Sequence, residues 1–548
     1  MKNNGSSNII FVLKRNNRLF LLISFLFLFG FASFSQNPKR IEILNANSIE
    51  FDRKIRRDVK RLLGDVQFKQ GNALMFCDSA YLNTETNSFE AFSNVHIKQG
   101  DSLNLYGDYL NYDGNIKLAQ MRRNVKMLHG SAVLTTEFLD FNRLKDVAYY
   151  YNGGTIIDSI NHLTSDRGYY YVASKDYYAV DSVSLINPDY TMNTDSLRYN
   201  ISSNISYFYG PTTIISDSNF IYCENGWYDT QKNLSQYNKN AYLKTKEKKL
   251  SGDSLFYDRN LAYGEAFRNV TLIDTAARWI LSGDYAVYYQ NKDRALATQK
   301  ALMTKIDGTD SLFLHADTLI TYPIYLVDTI QDTLQSIDSN YINTVDTVKI
   351  ILAYHKVQLY KKDFQARCDS LVYSTKDSTI NLFSSPILWA DDGQLIADSM
   401  KLLMTNNKPH KAILKDRAFA MMKYDTAYYH QMKGEIINAY FTKETQLKKI
   451  DVFGNSETIY FPTEETDNDT IKGDVIGVNI TKSKHLTIFF EQKKLNKITM
   501  YDNPEGVLNP LNKVKKDKMK LKGFRNLYYL RPLSKQDIFI WKEKTTIN

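Results

Sequence analysis

The side chains best placed to do chemistry in this chain are acidic, because they recur at a nearly fixed interval. Asp78, Asp108, Glu137, Asp166, Asp195, Glu224, Asp253, Asp284 and Asp317 follow one another at 29 to 33 residues, and Asp369 and Asp398 resume the series at 29. Two carboxylates facing each other across a cleft could cleave a glycosidic bond. One carboxylate per repeat, often followed by serine, fits a humbler role: a side-chain oxygen capping backbone N–H groups where a strand enters a turn. The eight histidines, His96, His129, His162, His315, His355, His410, His430 and His485, have no metal-ligand spacing. Nucleophile elbow, zinc-protease helix, Walker loop and dinucleotide fingerprint are all missing from the sequence. The chain therefore reads as a non-enzyme with no catalytic residue, metal or cofactor.

The elements that carry these acids are strands. A second series, Asp65-Val66, Asn94-Val95, Asn124-Val125 and Asn269-Val270, runs in phase with the first, so each repeat holds at least two strands joined by polar turns. Alternate residues of a strand share a face. The positions two and four after the acid are apolar in repeat after repeat: Leu110 and Tyr112, Leu139 and Phe141, Leu197 and Tyr199, Leu255 and Tyr257, Leu371 and Tyr373. In the companion strand Val66 and Phe68, Val95 and Ile97, Val125 and Met127, and Val270 and Leu272 align in the same way. The expected fold is all-β: an elongated β-coil of stacked units of about 29 residues with two facing apolar walls. If the walls part, those ten residues line a groove for an alkyl chain, where each buried methylene contributes about 0.8 kcal/mol. If the walls touch, the same ladder is plain core.

The flanks place this body outside the cytoplasm. Lys2, Lys14, Arg15 and Arg18 precede the apolar run Leu19 to Phe31, and Ser33-Phe34-Ser35 offers a cleavage site, so residues 1–35 read as a signal peptide. The repeats are expected over 36–321 and 351–505. Between them, 322–350 reads as a polar insertion, a long loop or an outlying hairpin. Residues 506–548 form a basic tail that is either a frayed, solvated end or a contact for anionic lipid or a partner. The net charge of +9 is misleading as a whole, because leader and tail carry it and the body between them is slightly acidic. Without a basic stripe, and after export, nucleic acid is not an expected partner. Cys77, Cys223 and Cys368 are odd in number and far apart, which points to small buried side chains rather than a disulfide framework.

Gly64-Asp65-Val66-Gln67-Phe68, followed by Phe76-Cys77-Asp78-Ser79-Ala80-Tyr81, resembles the paired-strand hallmark of the OstA-like family. These are the β-jellyrolls of lipopolysaccharide transport, of the LptA and LptD N-terminal type. Ile498-Thr499-Met500-Tyr501, Pro504-Glu505-Gly506, Leu521-Lys522-Gly523-Phe524 and Arg531 to Phe539 look like the closing segment of long Bacteroidota members. The resemblance implies a jellyroll whose groove takes lipid A acyl chains. It also implies open end strands that stack with other Lpt-type bridge proteins or an outer-membrane barrel, so that the chain is a periplasmic transport-bridge component. The alternative is a non-catalytic scaffold or adhesion protein of the cell envelope.

Overall fold

A computed structural model describes residues 39–51, 58–158, 160–217, 219–306, 310–326, 346–406, 408–425, 427–464, 473–491 and 494–543. The leader expected at 1–35 lies outside them. The described residues form strands, turns and short 3-10 segments with no α-helix, and they fall into two units divided between Asn152 and Gly153.

In the first unit the long strands Val59–Gln70, Ala73–Asn83, Ser88–Gln99, Leu103–Asp113, Leu118–His129 and Ala132–Asn142 each pair antiparallel with the one before. Every one is bent near its middle. In Ser88–Gln99 the register skips between Phe92 and Val95, where Ser93 and Asn94 have φ of 61° and 50°. Such a left-handed pair inserts extra backbone into one strand, turns it, and flips the face its later residues occupy. The burial pattern changes phase accordingly: Met75 and Cys77 point inward before the bend of their strand, and Ala80 and Leu82 after it. Each strand thus supplies half of one wall and half of the facing one. That is a β-jellyroll.

The recurring acid sits at this corner and not at the turn. Asp78 accepts a hydrogen bond from Asn94 Nδ2 at 2.8 Å, and Asp108 one from Asn124 at 2.6 Å. In the second unit Glu224 and Asp253 do the same for Asn240 and Asn269, at 2.6 and 3.1 Å. Asn tolerates φ > 0 better than most residues, and the acid fixes its side chain. Turn capping falls to the residue five positions later. Asn83 accepts from the N–H groups of Glu85 and Thr86, and Asp258 from those of Asn260 and Leu261, all at 2.9 to 3.2 Å.

The second unit continues this pattern from Asp176–Asn187 through Val478–Glu491. Thr318–Leu326 and Asp346–Tyr360 pair with each other as far as Leu326 and Asp346, so paired strands enter the polar segment from both sides. Residues 327–345 lie outside the described set.

The basic tail is not frayed between Leu511 and Glu543. Leu521, Leu527 and Leu530 are buried against Ile387, Trp389, Ile396 and Met421, on the outer face of the sheet. Three buried glutamines grip its backbone. Gln431 holds Met519 and Leu521, Gln394 holds Arg525 and Leu527, and Gln358 holds Ile538 and Ile540, all at 2.8 to 3.0 Å. The tail is therefore a strap running back across the strands, with the Trp541 ring stacked 3.4 Å from the Arg367 guanidinium carbon.

Candidate functional site

Whether the apolar ladder is core or groove depends on the volume each rung delivers to the interior. In the first unit it delivers enough. Ala91, Leu110, Met121, Leu139 and Tyr150 stand side by side on successive strands, all fully buried. Phe68, Phe89 and Tyr112 stack beside them at 4.3 and 5.2 Å between ring centres. Leu110, Tyr112, Leu139 and Phe141 are therefore packed against protein. The Tyr112 hydroxyl also donates to Gln70 Oε1 and accepts from Arg143 Nη1 at 2.7 Å. Arg143, itself buried, reaches Gln70 O and Gln99 Oε1 as well. These polar side chains fill the interior beside the aromatic stack.

In the second unit the equivalent row loses its bulk. Leu255 is followed across the sheet by Ala266, Ala286 and Ala297, and Tyr257 by Gly264. Where the first unit has Met121, Leu139 and Tyr150, three alanines leave the walls apart. The space is a cavity of about 480 Å³ bounded by residues between Asp189 and Ala297, in the usual range of roughly 300–1,000 Å³ for small-molecule sites. Leu255 and Tyr257 line it. Leu197 is buried and Tyr199 half-buried outside it, while Leu371 belongs to, and Tyr373 packs against, an apolar core that takes in Trp279 to Phe490 and shares Leu281, Ala295 and Ala297 with the cavity wall. Among the described residues, this space opens where the alanine row runs.

Further lining residues escaped the sequence reading. Met192, Ile221, Leu250 and Leu281 all line the cavity, and each lies three positions before a recurring acid. The same position is Met75, Leu105 and Leu134 in the first unit. That third periodic series was available in the sequence. Tyr190 and Tyr237 have no such signal; burial pushes the Tyr190 phenol up, and the Tyr237 phenol up to about 12, so both line the pocket as neutral groups.

Two rows of turns form the lips of the pocket, and ion pairs join them. Arg259, in the turn after Lys248–Asp258, lies 3.5 Å from Asp189 in the turn before Tyr190–Asn200. Lys248, at the other end of its strand, lies 3.1 Å from Asp293. Beneath the first pair Tyr190 meets Tyr228 edge-on at 6.2 Å, and Tyr257 donates to Gln290 at 2.6 Å. Both members of the Arg259–Asp189 pair are more than half exposed. Such pairs contribute only about 0.2–1 kcal/mol, too little to bar an apolar ligand gaining about 0.8 kcal/mol per methylene.

Residues 38–195 and 190–253 match the family model described as OstA-like protein. Over these residues the chain is OstA-like. The OstA-like region takes in the first unit from Lys39 onward and part of the pocket, with Met192, Ile214, Ile221 and Leu250; Leu255 to Ala297 follow it. No curated protein matches the chain. Among the described residues no helix is long and apolar enough to cross a membrane, and no three His, Cys, Asp or Glu side chains come together to hold a metal ion.

Proposed function

We propose that this protein is a periplasmic component of a lipopolysaccharide-transport bridge, sheltering lipid A acyl chains in its apolar pocket during transfer to the outer membrane. The pocket carries the reading. It is lined by Leu250, inside the OstA-like match, and by Leu255, Leu281 and Ala286 just beyond it, and an apolar ligand is the occupant such walls favour. Leu197, Tyr199, Leu371 and Tyr373 lie outside the pocket, and Leu255 and Tyr257 are the ladder members assigned to lipid contact. Chain ends supply the partners. Glu42–Asn45 and Ser48–Glu50 form one sheet edge, with Leu44 and Ile49 exposed. Lys494–Tyr501 and Glu505–Asn509 form another, with Val507 and Leu508 exposed. Unpaired strand edges are templates for strand addition by a further bridge protein or a barrel protein.

The test is lipid content. The protein purified from the envelope carries acylated lipid detectable by mass spectrometry, and Ala286→Phe, which fills the pocket, removes it. Lipid-free wild-type protein, or lipid retained by the variant, would count against the proposal. An envelope scaffold is the second reading. The close packing around Leu110, Tyr112 and Leu139 and the apolar core around Leu371 favour it, and it predicts no bound lipid.

A further inference from the structure

Cations and carboxylates meet at the lips of the pocket in a way that holding a fold together does not require. We propose that Arg259 and Lys248 form a site for the phosphate of an acylated ligand, which displaces their present carboxylate partners when its chain enters the pocket. The proposal rests on the reading that the pocket takes an acyl chain. Both cations line the same pocket, one on each lip, and each is paired with an acid across the mouth. The pairs are poised to exchange. Arg259 offers Nη1 and Nη2 to a single Asp189 oxygen, both at 3.5 Å, well beyond the roughly 2.7–2.9 Å of a strong charge-assisted bond. A phosphate presents several oxygens to that planar fork and satisfies it better than one carboxylate oxygen. Lys248 supplies a mobile point charge from the opposite lip. The acids can be released without being stranded. Asp189 is largely in water, and Asp293 keeps the Tyr288 hydroxyl, which donates to it at 2.9 Å. An amphiphile whose chain fills the pocket has its head at this mouth, so the chemistry of the lips selects the head group.

The experiment measures binding of lysophosphatidic acid and of monoacylglycerol with the same acyl chain to the full chain. Wild type is compared with K248Q/R259Q and with D189N/D293N. Wild type is expected to prefer the phosphate-bearing lipid by about tenfold, as two partly exposed charge contacts supply. K248Q/R259Q should abolish that preference, while D189N/D293N should enlarge it. Equal binding of the two lipids by wild type, or a preference that survives K248Q/R259Q, overturns the phosphate site and leaves the acyl pocket standing. Failure of wild type to bind either lipid overturns the pocket reading, and the head-group site with it.

Discussion

Gln394→Ala should loosen the C-terminal strap while the jellyroll beneath it stays folded. Gln394 is fully buried; its Oε1 accepts from the Leu527 N–H and its Nε2 donates to the Arg525 carbonyl, both at 2.8 Å. Truncation leaves one backbone donor and one acceptor unpaired under the strap. Each such group costs about 1–3 kcal/mol, so the change costs about 2–6 kcal/mol, with the low end applying if water enters the gap. The strand ladders of the unit do not run through these bonds, so the loss falls on the strap. Hydrogen exchange read residue by residue is the assay. The amides of Leu521, Leu527 and Leu530 should exchange faster by a factor matching that energy, with those of Leu414 and Ile437 unchanged. Gln431→Ala should act likewise at Leu521, and the two changes should add because they grip different parts of the strap. Wild-type protection at Leu527 in Gln394→Ala would refute the reasoning, since two buried hydrogen bonds cannot vanish without cost.

Other expectations follow from the same physics. Burial pushes the Cys77 and Cys223 thiols up to about 12 and the Cys368 thiol further; all three should resist alkylation in the folded chain and react only in denaturant. Arg143→Ala should destabilise the first unit by about 3 kcal/mol in urea unfolding, because it removes the charged donor to the buried Tyr112 hydroxyl oxygen and Gln70 carbonyl. His315 is held below its ordinary 6.5, chiefly by burial, despite the bond between its Nδ1 and Ala301 O at 2.7 Å. The unfolded chain therefore takes up this proton first, so stability is full above 6.5 and falls as pH drops below it. His315→Gln should flatten that part of the stability-pH curve.

Much of the architecture could be read from residue types because the repeat is physical. Asn94, Asn124 and Asn269 recur because a corner needs a residue that tolerates the left-handed region, and the apolar positions on either side of the acid recur because both halves of a bent strand face inward. The acid's position is less legible, since Asp-Ser looks like a turn cap. Its true place opposite Asn94 or Asn124 depends on a cross-strand neighbour sixteen residues away, which local sequence does not reveal. The pocket was hidden for a similar reason. Leu255 looks like Leu110 along the chain; what differs is the row beside it, Ala266, Ala286 and Ala297 in place of Met121, Leu139 and Tyr150. The strap was illegible because its charge dominates its composition, while its grip depends on Gln358, Gln394 and Gln431, polar residues in strands that face outward and look solvated.

The most direct test of the account places a photoreactive residue at Leu255 or Tyr257, and in parallel at Leu139 or Phe141, and irradiates intact cells. Lipopolysaccharide adducts at 255 and 257, and none at 139 and 141, are the predicted result. Equal labelling at all four positions, or at none, would contradict a pocket that opens only where the alanine row removes the bulk of the wall.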